Sequence, residues 1–427
     1  MLLKIKNVGF DTGRDNFCYI NKNSQIVSEE GLQATSRVMV NKIGAELVLV
    51  NDDFIERDEI GLSDFLFGKV DRENGSLVEV SLISQLKSFD AIIKKRSGEK
   101  INRNEMVDIV NDISKNYYSK AQIAAFCSLF EGDNISYNEI SYLTEAMVIS
   151  GDRLTWNYDI VVDKHCIGGV PGNRTTNIVV PIVAEYGLHI PKTSSRAITS
   201  PSGTTDTMEA LCNVNFKTSR IKKIVNEVNG CIIWGGSVRL SPTDDLIINV
   251  RKSIKIDTEK IMIASILSKK ISAGSTHVLI VIPIGPNVKA KNIEDFKRLR
   301  ALFECIGRDL GIHVVCEYED GAQPVGNGIG PVLEAIDILS VLENKKDAPH
   351  DLRDISLNFA GKIIEFDKKV KVGDGIKVAT EILESGRAYS RFMKIIDVQG
   401  GLKKLATANI KHNIVADSDG IITSMNN

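Results

Sequence analysis

The sequence predicts a mixed α/β protein built from several domains. Three observations carry this: β-type runs near the amino terminus, a following stretch with helical spacing, and then strand-like runs alternating with apolar helical ones. A chain of 427 residues, 43% hydrophobic and 25% charged, can bury more than one core and lies outside the disordered class.

Residues 1–85 hold runs such as Leu2-Leu-Lys-Ile-Lys6 and Leu47-Val-Leu-Val50 between Gly, Asn and Asp turn signals, which predicts a small β-rich domain. After it, apolar residues recur at helical spacing, at Met106, Ile109, Val110 and Ile113 and again at Ile123, Ala124, Cys127 and Leu129. A helical domain is expected there. Tyr158-Asp-Ile-Val-Val162 then reads as a strand, residues 164–174 as a glycine-bearing loop, and residues 178–186 as a buried helix. A second such unit runs from His277-Val-Leu-Ile-Val-Ile282 into Ile293, Phe296, Leu299, Phe303 and Ile306, and residues 312–316 add a short strand. Residues 374–396 read as a helix with glycine breaks. Asn413-Ile-Val-Ala416 and Gly420-Ile-Ile422 flank an Asp-Ser-Asp-Gly turn, which predicts a hairpin. The chain stops seven residues after that glycine, so the final domain is expected to be incomplete.

The formal net charge of −2 carries no basic excess, which argues against a nucleic-acid partner and favours small anions held locally. Cys18, Cys127, Cys166, Cys212, Cys231, Cys305 and Cys316 show no close pair at metal spacing, and no signal sequence precedes the first strand-like run. Reduced thiols and a cytoplasmic location are expected. No apolar run approaches the ~20 residues of a spanning helix, so no membrane partner is expected.

Three segments have the composition of a site. Lys164-His-Cys-Ile-Gly-Gly-Val-Pro-Gly-Asn-Arg174-Thr-Thr176 joins a strand to a helix, the arrangement in which backbone N–H groups converge on an anion. Gly168 and Gly169 permit close approach, Lys164 brings charge, and Thr175 and Thr176 bring hydroxyls; the same glycines would also serve any sharp turn. Ser194-Ser-Arg-Ala-Ile-Thr-Ser-Pro-Ser-Gly-Thr-Thr205 gathers hydroxyls around one guanidinium, suited to multidentate phosphate binding or to a surface turn with a helix cap at Thr204 or Thr205. In the third segment Asp257, Ser265 and Lys269 follow at offsets of eight and four, which by pattern alone is an amphipathic helix with Asp257 as N-cap or first-turn carboxylate.

Taken in order, Lys164-His-Cys-Ile-Gly-Gly, Ser194-Ser-Arg-Ala-Ile-Thr-Ser-Pro-Ser-Gly-Thr and Ala264-Ser-Ile-Leu-Ser-Lys-Lys270 resemble the signature segments of the thymidine phosphorylase family. Lys94-Lys-Arg-Ser-Gly-Glu99 and Gly321-Ala-Gln-Pro-Val-Gly-Asn-Gly-Ile-Gly330 also look like family segments, and the second motif with the extra amino-terminal domain looks closer to the AMP phosphorylase branch than to the enzymes acting on thymidine. The resemblance implies a nucleoside phosphorylase/phosphoribosyltransferase-like fold in which a helical domain and a mixed α/β domain face each other across a hinge cleft. Its boundaries would be a β-rich domain at 1–85, a helical domain at 86–155 joined by 242–275, an α/β domain at 156–241 and 276–345, and a shortened carboxy-terminal α+β domain at 346–427.

The implied reaction is phosphorolysis of a nucleoside 5′-monophosphate, AMP plus phosphate giving adenine and ribose 1,5-bisphosphate. Gly169, Ser195, Arg196, Ala197, Ile198, Thr199, Ser200, Thr204, Ser265 and Lys289 would contact the nucleotide, and Asp257 would donate the proton to the departing base. Lys164, His165, Thr175 and Thr176 would hold the attacking phosphate, although His165 could equally be a structural histidine. Inorganic phosphate is the co-substrate; no metal or other cofactor is expected, because amides, lysine and arginine can balance the developing charge. The resemblance further implies a homo-oligomer, at least a dimer. Where many family members have serine this chain has Cys166, whose thiol is a weaker donor beside phosphate than a hydroxyl. Alternatives are a thymidine or pyrimidine nucleoside phosphorylase, a phosphoribosyltransferase, and a catalytically silent nucleotide-binding protein. The transferase ranks lower, since no acidic pair for magnesium adjoins Gly168 and Gly169.

Overall fold

The computed structural model describes every residue except Arg14, Thr35, Asp52, Asp53, Ile198, Thr199, Asn426 and Asn427. The chain forms two compact units, one of Met1–Ser150 with Pro242–Ala264 and one of Gly151–Ser241 with Ser265–Asn427. No helix among the described residues is long and apolar enough to cross a membrane.

In the first unit, strands β1 (Leu2–Asn7), β2 (Phe17–Asn21), β3 (Arg37–Val40), β4 (Ile43–Val50), β5 (Glu59–Leu62) and β6 (Leu77–Leu82) close a barrel in the order β1-β5-β2-β4-β3-β6, with β6 antiparallel to β1. Closure leaves no open sheet edge, and the period of two turns Leu3, Ile5, Cys18, Ile20, Val38, Val40, Val78 and Val80 into one core. The expected β-rich domain is thus a barrel. The helices Lys87–Arg96, Arg103–Ser114, Lys120–Ser128 and Tyr137–Ile149 follow, and Pro242–Ser253 belongs to the same unit. Their starts are set by polar side chains: Asn102 with Glu105, Ser119 with Gln122 and Ser136 with Glu139 form reciprocal capping boxes. Glu139 also makes a 2.7 Å ion pair with buried Lys95, tying the third of these caps to the first helix.

In the second unit, β7 (Val162–Cys166), β8 (Ile190–Ser194), β9 (Gly230–Trp234), β10 (His277–Ile284) and β11 (His313–Asp320) are all parallel to their neighbours. The ladder β11-β10-β7 and the pair β8-β9 are joined by the Val161–His189 bridge, beyond which β7 and β8 diverge. The helix Thr175–Tyr186 is buried on every side from Thr175 to Ala184, its apolar run at 178–184 passing through the core.

Two expectations are corrected here, and a third, the glycine break within residues 374–396, is met. The strand expected at residues 158–162 lies at Val162–Cys166, so Lys164 and His165 belong to the strand and not to the loop. Charged residues fit a central strand because partners meet them inside the protein. Residues 374–396 form two helices, Gly375–Glu384 and Arg387–Val398, separated at Gly386 with φ +75°. The hairpin expected at 413–422 is not formed: residues 402–425 carry no regular structure, and Ile414, Val415, Ile421 and Ile422 are exposed. A lone two-stranded hairpin is marginal without a surface to pack on.

The helices His350–Ile364, Gly375–Glu384 and Arg387–Val398 share the α/β core through residues such as Phe359, Ile363, Leu383, Phe392 and Ile395. Residues 346–398 therefore do not build a core of their own. Gln399 anchors them to the sheet, accepting from Ile232 N at 3.0 Å and donating to Ile232 O at 3.0 Å, as a neighbouring strand would on the edge of β9.

Candidate active site

In open α/β sheets the crevice for ligands opens where neighbouring strands part at their carboxyl ends. Here that point lies between β7 and β8. Lys164, near the end of β7, is 1% exposed; its Nζ donates to Thr175 Oγ1 at 2.5 Å and lies 5.1 Å from the centre of the Phe359 ring. Thr175 Oγ1 donates in turn to Asn173 Oδ1 at 3.0 Å, and Asn173 Nδ2 donates to both Glu319 oxygens at 2.8 Å. Burial lowers the Lys164 pKa and raises that of Glu319, each opposed by the other's charge.

His165 is half-buried, and its pKa is held well below the ordinary histidine range by burial and by the charges of Lys270, Lys192, Lys164 and Lys269. Four lysines therefore stand near this one imidazole, with Asp163 between Lys192 and Lys270. Burial also raises the neighbouring Cys166 thiol, so it stays a neutral, weak donor.

The loop after β7 is shaped by glycines at φ +96° (Gly168) and +98° (Gly169), a region that L side chains avoid. A Cβ on Gly169 would come within 3.0 Å of Val288 Cγ1, so the turn carrying Lys289 packs directly against this loop. Thr175 and Thr176, both buried, open the helix Thr175–Tyr186, whose positive dipole end favours an anion.

The second motif follows β8. Ser195, Arg196 and Ala197 are exposed; Ile198 and Thr199 lie outside the described residues. Asp206 Oδ2 gathers the loop by accepting from Ala197 N at 2.7 Å and Gly203 N at 2.9 Å, at the start of the helix Thr204–Leu211. The Arg196 guanidinium, expected to be available for phosphate, instead pairs with Glu209 at 2.5 Å and Asp206 at 3.2 Å and lies 5.0 Å from the centre of the Trp234 ring. A second guanidinium takes the inner position. Buried Arg174 pairs with Glu334 at 2.7 Å and reaches Ser200 Oγ at 3.5 Å, while Thr207 Oγ1 donates to the same Glu334 oxygen at 2.9 Å.

In the third segment the helix Glu259–Ser272 is capped by Thr258, whose Oγ1 accepts from Ile261 N at 3.3 Å. Asp257 is therefore one residue before the N-cap, not the cap itself. Its carboxylate is 57% exposed and 3.7 Å from Arg251. Arg251 Nε and Nη1 are buried without a hydrogen-bond partner. Asp257 belongs to the first unit, whereas half-buried Ser265 belongs to the second with Lys164, His165, Gly169, Thr175, Thr176, Ser195, Arg196, Ala197, Ser200, Thr204 and Lys289.

Sequence reasoning missed Asp163, Asn173, Lys192, Glu319 and Glu334. Each is a buried polar or charged residue, and neither its burial nor its partner can be read from its neighbours in the sequence.

Residues 89–151 match the glycosyl transferase family, helical bundle domain, and residues 158–279 match the glycosyl transferase family, a/b domain. A protein of Methylococcus capsulatus named "Putative thymidine phosphorylase" is 43% identical over all of this chain and 84% of its own length. Proteins of the same name from Legionella pneumophila and Bradyrhizobium diazoefficiens are 42% and 46% identical, over 100% and 99% of this chain and 83% of each relative. Among solved structures, anthranilate phosphoribosyltransferase from Thermus thermophilus superposes with a TM-score of 0.61 at 17% identity, covering 73% of this chain and 99% of that one, a likeness of fold. Identity of this extent, with both domain matches in sequence order, means that the chain belongs to the thymidine phosphorylase family.

Proposed function

We propose that this chain is a phosphorylase acting on a nucleoside 5′-monophosphate, AMP first, with inorganic phosphate as second substrate. The observation that carries the reading is the cluster of Lys164, Lys192, Lys269 and Lys270 around His165, beside a helix start with buried Thr175 and Thr176. Such a pocket suits a compact dianion.

In the reaction a phosphate oxygen forms a bond to C1′ of the ribose, the C1′–N bond to the base breaks, and a proton from Asp257 meets the base nitrogen that receives the electron pair. Ribose 1,5-bisphosphate and free adenine result. The monophosphate reading is supported by the hydroxyl-rich loop after β8, which Asp206 and Arg174 hold in shape and which offers donors for a second phosphate. The names of the relatives favour a second reading, thymidine or another pyrimidine nucleoside as substrate.

Base release from AMP, CMP, UMP, thymidine and uridine, each with and without phosphate, tests both. Phosphate-dependent release of adenine from AMP is expected, with Asp257→Asn losing most turnover at saturating substrates. Faster release from thymidine or uridine than from any monophosphate would replace the first reading by the second. Undiminished turnover in Asp257→Asn would remove the proton-donor role.

A further inference from the structure

Where β7 and β8 diverge, Lys164 O and Thr193 O face the gap without a strand partner, and unpaired buried carbonyls are costly. Lysine side chains fill it. Lys192 Nζ donates to Lys164 O at 2.7 Å, and Lys270 Nζ lies 3.5 Å from Thr193 O. Asp163 stands between them: Oδ1 is 3.3 Å from Lys192 and accepts from Lys164 N at 2.7 Å, while Oδ2 accepts from Lys270 at 2.7 Å. All three side chains are almost fully buried, at 0, 3 and 4% exposure for Asp163, Lys192 and Lys270.

The fork thus holds two ammonium groups against one carboxylate, with Lys164 and Lys269 adding positive potential at the adjacent His165. A buried excess of positive charge is unstable unless an anion joins it or a lysine gives up its proton. We propose that Asp163, Lys192 and Lys270 form a wedge that positions the ends of β7 and β8 around the anion, and that Lys192 takes up a proton when the anion binds.

Lys192 is the group that yields. Burial pulls its pKa down to about 7; the charge of Asp163 and its hydrogen bond oppose that fall, and repulsion by Lys270 and Lys164 adds to it. The titratable groups facing it are Asp163, Lys164 and His165 on β7, Cys231 on β9, whose thiol burial pushes up, and Lys270 on the helix Glu259–Ser272. An anion in the crevice raises the Lys192 pKa. Above about pH 7 the free protein then carries a neutral Lys192 and the complex a charged one, so binding draws one proton from solution.

This inference rests on the anion-binding half of the proposed function. Sulfate is the probe, because it stays divalent across the range and only the protein titrates. Calorimetry of the full chain in buffers of differing ionisation enthalpy should show uptake approaching one proton between pH 7 and 8.5, and affinity falling by up to about tenfold per pH unit. Lys192→Arg, charged throughout, should bind with no uptake and a flat pH profile; Lys192→Met should bind more weakly, also with a flat profile. Wild-type binding without proton uptake overturns the inference whatever the variants do, as does undiminished uptake in either variant. Sulfate that fails to bind at all overturns the anion site itself.

Discussion

Replacing Lys164 by Met separates what the anion site does from what it costs the fold. Lys164 is 1% exposed, its ammonium donates to Thr175 Oγ1 at 2.5 Å, and burial pulls its pKa down. For an anion bound about 4 Å away, one unit charge is worth about 4 kcal/mol at an effective dielectric near 20, so loss of about 2–4 kcal/mol of phosphate binding is expected. That corresponds to a roughly 30- to 1,000-fold rise in the phosphate Kd. Stability should change far less. Met fills nearly the same volume without a charge to desolvate, which offsets the loss of the charge that favours buried Glu319, and Thr175 keeps its bond to Asn173, so the phosphate-free variant should lie within about 2 kcal/mol of wild type. Urea unfolding with and without phosphate reads both quantities: wild type should gain stability as phosphate rises, and Lys164→Met should not. A variant less stable by more than about 2 kcal/mol without phosphate would refute the stability argument. A phosphate KM within about threefold of wild type would refute the binding argument.

Two further substitutions test the framework around the site. Gly169→Ala forces a side chain into φ +98° and within 3.0 Å of Val288, so a loss of about 1–3 kcal/mol with weakened sulfate binding is expected; Gly187→Ala, at φ +113° with open space around it, should cost about 1 kcal/mol and leave sulfate affinity unchanged. Gln399→Ala removes the groups that pair with Ile232 N and O and leaves both buried; a loss of about 2–3 kcal/mol in chemical denaturation is expected, and a change under about 0.5 kcal/mol would show that Gln399 does not carry the edge.

Much of the candidate site could be read along the chain because its segments are continuous. Lys164 to Thr176 and Ser194 to Thr205 each combine a strand end, a turn and a helix start, and such local chemistry leaves its mark in local residue order. The placement of the strand was harder. A β-branched run at 158–162 outweighed Asp163 and Lys164, since nothing in the sequence shows that Lys192 and Lys270 arrive to neutralise a buried carboxylate. Arg196 misled in the opposite direction. Its position among hydroxyls suggested a free guanidinium, while Asp206 and Glu209, on the next helix, already engage it.

The sequence by itself determined the alternation of strands and helices, the glycine turns at Gly168 and Gly169, and the identity of the motifs, because periodicity, backbone freedom and donor chemistry are properties of residues in order. Only the tertiary structure decided that the early strands close into a barrel, that residues 350–398 share the α/β core, and that β7 and β8 part around an Asp163 shared by two lysines. Those outcomes depend on which distant groups meet. Lys164 needs Glu319 through Asn173, and β9 needs Gln399, partners separated from it by well over a hundred residues, and burial sets the charge states of such groups only after they have come together.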